Sequence, residues 1–125
     1  MADLKNISLT IEADRAASEL AQNFPARDHM DFARLGFSYA IREGMNLERD
    51  EYFGTRGGSN YSSAGIDDGG IMAQAVAIFY PTDEVSSEPY RAIETLMSKG
   101  LVLLREHFEQ GMIGSIGDLM PEQSS

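Results

Sequence analysis

The side chains able to do chemistry in this chain are few and scattered. His29 and His107 are its two imidazoles; His29 opens one helical pattern with acids beside it, and His107 stands between Glu106 and Phe108 in another. Neither has the companion at fixed spacing that metal binding or nucleophilic catalysis requires, such as a second histidine one turn away or a nucleophile beside a base. The absence of cysteine excludes disulfides and thiolate metal sites and fits a reducing cytoplasm. Asp67-Asp68-Gly69 begins like a calcium loop but lacks the alternating acids and closing glutamate, so it reads as a helix cap after a turn. Residues 54–70 hold six glycines, yet neither a Gly-Lys-Ser/Thr ending nor a strand leading into Gly-x-Gly-x-x-Gly accompanies them. Arg56 could contact an anion there and Tyr61 could stack, although a flexible connector is the simpler reading. No catalytic residue, metal or cofactor is expected.

Arginine is the one charged type with a pattern. Arg27, Arg34, Arg42, Arg49 and Arg56 recur every seven or eight residues. On a helix, Arg34 and Arg42 fall two turns apart, about 12 Å along one face, with Ser38 between them. Such a ridge can meet phosphates or an acidic partner, or it can be a solvated face paired with Asp31, Glu43 and Glu48.

The elements that must position these groups begin with Ile7-Ser8-Leu9-Thr10-Ile11, whose alternation has the period of a half-buried strand. A lone strand needs a pairing partner for its backbone groups. With no second convincing strand in the chain, the simplest partner is the same strand of another copy. A self-pairing strand followed by two helices is the plan of a ribbon-helix-helix module, in which Asn6, Ser8 and Thr10 would point outward toward base edges.

Ala13, Ala16, Ala17, Leu20 and Ala21 mark a first, alanine-faced helix that stops at Pro25. Asp28, with Asp31 three residues on, starts a second that Gly44 ends. That helix is apolar on most sides, its polar ridge being only Asp31, Arg34, Ser38 and Arg42, so protein should surround it, part of it from another subunit. A third helix runs from Asp67 or Asp68 to Pro81, and a fourth, capped by Ser86 or Ser87, continues to about Gly111. Gly100 lies in the apolar stripe of the fourth, where a close helix crossing or a bend would account for it. The tail from Pro121 is polar and should fray. The expected architecture is mostly α: one N-terminal strand pairing between subunits and about four helices, in a single domain that forms a dimer or higher oligomer.

At 125 residues the chain can bury a modest core, and no apolar run approaches the roughly 18 residues of a membrane span. Met1 to Lys5 leads into the strand without the apolar stretch of a signal peptide. Net charge is −10: residues 1–62 hold ten acids and seven bases, and residues 63–125 ten acids and three bases. That balance disfavours nonspecific nucleic-acid binding and anionic membranes.

Ala33-Arg34-Leu35-Gly36-Phe37-Ser38-Tyr39-Ala40-Ile41-Arg42-Glu43-Gly44 is similar to a helix of DndE, the small helical subunit of bacterial DNA phosphorothioation systems. The order of the later segments Ile71 to Tyr80, Tyr90-Arg91-Ala92 and Ser98 to Leu104 also resembles that family. The resemblance implies a helical, self-associating protein acting beside larger enzymes on DNA. The expectation is thus a non-catalytic, cytoplasmic subunit of a DNA-modification or phage-defence complex, with a nuclease, helicase or ATPase as partner. The alternative is a dimeric ribbon-helix-helix regulator or antitoxin. The residues expected to bind DNA or a partner are Asn6, Ser8, Thr10, Arg34, Arg42 and Arg56.

Overall fold

A computed structural model describes residues 3–24, 27–47 and 56–111. It begins with strand β1 (Asn6–Thr10), where Ile7 and Leu9 are buried as their alternation predicts. Ser8 and Thr10 are buried as well, which the alternation does not predict. The reason lies at the edges of the strand. One edge pairs antiparallel with β2 (Arg56–Ser62), in the register Asn6 to Ser62, Ile7 to Tyr61 and Ser8 to Asn60. The self-pairing strand expected from the sequence is therefore replaced by a partner within the chain.

β2 comes from the glycine-rich stretch expected to be a connector. Its register slips between Ser8 and Thr10, where the step 8 to 10 on β1 faces the step 60 to 56 on β2. Glycine allows this close approach: a Cβ on Gly58 would lie 2.6 Å from Asp14 Cβ and 2.9 Å from the Thr10 carbonyl oxygen.

Thr10 ends β1 and caps α1 (Ile11–Asn23), its hydroxyl accepting from Ala13 N–H at 3.1 Å. α2 (His29–Arg42) starts on a reciprocal capping box: Asp31 N–H donates to Asp28 Oδ1 (2.8 Å) and Asp28 N–H to Asp31 Oδ2 (3.1 Å). Gly44 follows its end with a left-handed φ of 65°. After β2 come the single turn α3 (Ser63–Ile66), then α4 (Ile71–Phe79), the short α5 (Asp83–Ser87) and the long α6 (Pro89–Glu109). Among the described residues there are six helices rather than about four, because the short α3 forms within the expected loop and the short α5 ahead of the last helix. Thr82 caps α5, and Ser86 and Ser87, expected to open the last helix, close α5 instead.

α6 is the spine of the molecule. Its buried Ile93, Leu96, Met97, Leu101 and Leu104 join one core with Ile7 and Leu9 of β1, the alanine face and Leu20 of α1, and Phe32, Phe37 and Ala40 of α2. The nearly all-apolar α2 is surrounded by protein as expected, and α1 and α6 of the same chain pack on it. On its polar ridge Asp31 and Arg34 are half-buried and Ser38 and Arg42 exposed, and His29, Met30 and Ile41 near its ends are half-buried too. Among the described residues, no helix is long and apolar enough to cross a membrane.

Candidate functional site

The expected site residues do not gather on one surface. Asn6 is exposed, but Ser8 and Thr10 are 5% and 0% exposed. Both face α6. Ser8 N–H donates to Glu94 Oε2 at 2.9 Å and Thr10 N–H to Ser98 Oγ at 3.2 Å. Two residues of strand advance about 6.8 Å and four residues of helix about 6 Å, so Glu94 and Ser98 match the spacing of alternate strand donors. α6 thus closes the edge of β1 that β2 leaves open, and the outward polar ribbon needed to read DNA is replaced by a buried strand.

Arg56 joins this arrangement. Its guanidinium lies 3.1 Å from Glu94 Oε2, while Glu94 itself is 3% exposed. It also donates to the Asn6 carbonyl oxygen at 3.4 Å. The proposed anion contact is occupied by a carboxylate of the chain itself. Glu94 was not singled out from the sequence, although one signal was present: it stands on the apolar stripe of α6, four residues before Ser98 and seven before Leu101.

Arg34 and Arg42 are separated by their uses. Arg34 Nε donates to the Ile66 carbonyl (2.9 Å) and Nη2 to the Gly65 carbonyl (3.3 Å), holding the end of α3 against α2. Arg42 remains exposed in the last turn of α2, where a cation suits the helix dipole. Arg49 of the same series lies outside the described residues.

A second cluster was missed because its members are remote in sequence. His29 sits between Asp14 of α1, 3.0 Å from Nε2, and the Tyr61 hydroxyl of β2, which meets Nδ1. The approach of His29 to Asp14 lacks hydrogen-bond geometry, so carboxylate, imidazole and hydroxyl stand in series without completing a proton relay. Burial first, then the negative charges of Asp14 and Asp28, push the Tyr61 hydroxyl up to about 12. The Tyr61 hydroxyl ties β2 to the start of α2 through His29, which in turn lies against Asp14 of α1. The other histidine has a parallel role: His107 Nδ1 meets the Tyr39 hydroxyl at 2.6 Å, joining α6 to α2.

An open cleft of about 730 Å³ lies between Leu47, Arg56, α5 and the start of α6, lined by Asp83, Glu84, Glu88 and Arg91. Leu47 and Arg56 are the two ends of residues 48–55, which fall outside the described residues.

The remaining feature is the outer side of α4. Ile71, Ile78 and Phe79 are 70%, 72% and 62% exposed, while Met72 and Val76 of the same helix are buried. No charged residue stands between Asp68 and Asp83. Isolated apolar residues on a surface are ordinary, but three large ones on one short uncharged helix form an exposed apolar patch.

The chain matches no family model, no curated protein and no solved structure. Its own geometry carries the functional reading.

Proposed function

We propose that this chain is a non-catalytic interaction subunit that acts through protein contacts, with the outer face of α4 as its contact surface. The exposed trio Ile71, Ile78 and Phe79 carries this reading. The two features behind an expected homo-oligomer, the strand and α2, are both satisfied within one chain, and among the described residues the exposed large apolar side chains are Ile11 and the three of α4. The role of Arg56, Glu94, His29 and Tyr61 in joining elements supports a structural assignment for the groups that chemistry would otherwise use. The resemblance of residues 33–44, and of the order of segments 71–80, 90–92 and 98–104, to the DndE family suggests the setting: a larger protein of a bacterial DNA-modification or phage-defence assembly.

The test is copurification of the tagged full chain from its native cells beside an Ile78→Glu, Phe79→Glu variant. A stoichiometric partner held by the wild type and lost from a variant of unchanged thermal stability is the expected result. Turnover of a nucleotide, peptide or ester by the isolated chain, abolished by His29→Ala or Tyr61→Phe, would overturn it.

A further inference from the structure

From the charges around α4 we infer that the partner presents a basic amphipathic helix, an inference that rests on α4 being the contact surface. Residues 57–90 contain Asp67, Asp68, Asp83, Glu84 and Glu88 and no lysine, arginine or histidine. Asp67 is used internally: its carboxylate accepts from Met72 N–H, Ala73 N–H and the Tyr90 hydroxyl. Asp68 just before α4, and Asp83 and Glu84 just after it, are exposed. The apolar face is therefore bracketed along the chain by anionic side chains, and the two arginines that line the cleft with Asp83 and Glu84 are paired with other acids, Arg56 with Glu94 and Arg91 with Glu88.

The dimensions define the complement. Ile71 and Ile78 are seven residues apart on one side, about 10 Å along the axis, and Phe79 at the end of the helix points about 100° round from Ile78. A helix laid along that side needs apolar side chains at i, i+3 or i+4, and i+7, the usual spacing of a helix docking by one face. Beyond each end of that stripe it needs lysine or arginine opposite Asp68 and opposite Asp83 and Glu84. A second copy of this chain fails that requirement. Either direction of pairing between two α4 helices sets the acids of one copy near those of the other, in a chain of net charge −10.

The probe is a helical peptide with leucines at i, i+4 and i+7 flanked by lysines, titrated onto the full chain beside an isosteric peptide with glutamates for lysines. The lysine peptide should bind, and the glutamate peptide at least about tenfold more weakly. Ile78→Gln should weaken the lysine peptide about tenfold, as loss of a central apolar anchor does. Asp83→Asn with Glu84→Gln should weaken it by a similar factor and reduce its salt dependence. Equal binding of the two peptides, or binding indifferent to Ile78→Gln, would overturn the inference. A photo-crosslinker at position 78 separates the ways of failing. Coupling to a second copy overturns the basic partner while keeping α4 as a contact surface, and coupling to residues 112–125 of the same chain overturns both. An uncoupled position 78 together with no peptide binding overturns both.

Discussion

Gly36 of α2 and Gly100 of α6 meet backbone to backbone where the two helices cross: a Cβ on Gly100 would stand 1.7 Å from the Gly36 carbonyl oxygen. A Cβ on Gly36 would lie 2.6 Å from Leu101 Cγ and 2.9 Å from the Met97 carbonyl. The close crossing, rather than a bend, accounts for glycine in the stripe of α6.

That contact reverses the usual sign of a glycine substitution. Helix propensity alone would make Gly100→Ala stabilising by about 1 kcal/mol. Because the obstacle is backbone, the helices must separate, and Gly100→Ala should instead cost about 3 kcal/mol or more. Urea unfolding of the variant decides between the signs. Equal or higher stability would mean that the helices do not cross there.

The Glu94 and Arg56 pair should show coupling. Glu94→Ala leaves the buried Ser8 N–H without this acceptor and should cost about 1–3 kcal/mol, whereas Glu94→Gln keeps an acceptor and should cost less. Arg56 is about half exposed, so the pair itself contributes less than a fully buried one. A double-mutant cycle of Arg56→Ala and Glu94→Gln should give a coupling of about 0.5–3 kcal/mol. Additive effects would separate the two side chains.

Thr10 should behave as a cap rather than as a reader of bases. Thr10→Ala removes the acceptor for Ala13 N–H and should lower stability by about 1–2 kcal/mol, with Thr10→Ser retaining most of it. Calorimetry of the pair is the check. No difference between alanine and serine would count against the cap.

The two arginines of α2 should no longer act alike. Arg34→Ala releases two carbonyl contacts at α3 and should cost about 1 kcal/mol. Arg42→Ala, on the exposed last turn, should change stability by less than about 0.5 kcal/mol. Similar losses at both positions would contradict the structure.

Tyrosine ionisation should destabilise the fold in alkali. Burial is the largest cause raising the pKa of Tyr39, Tyr61, Tyr80 and Tyr90, and Tyr61 is pushed up to about 12 from the ordinary tyrosine value of 10.0. The unfolded chain then releases its phenolic protons before the folded one. The stabilising contribution is full below about pH 10 and is lost as pH rises to about 12. Unfolding midpoints should fall across that window, with part of the fall absent in Tyr61→Phe. A flat profile from pH 10 to 12 would exclude the shift.

The sequence by itself determined what neighbours within one turn decide. The Asp28 and Asp31 capping box, the stop at Gly44, and the polar ridge Asp31, Arg34, Ser38 and Arg42 follow from i to i+3 and i to i+4 relations, and all stand in the structure. The alanine face of α1 and the stripe of α6 were legible for the same reason. Only the tertiary structure decided the rest. β2 has no alternating apolar pattern; it is a strand because Gly57 and Gly58 permit contact with Ile11, Thr10 and Asp14 far away in the chain. Ser8 and Thr10 are buried because their donors find Glu94 and Ser98, 86 and 88 residues later. The sequence of α4 announces an apolar helix, but which side stays uncovered depends on where α6 lies. Periodicity records how a segment is divided into faces, and the identity of what covers each face is a property of contacts remote in sequence.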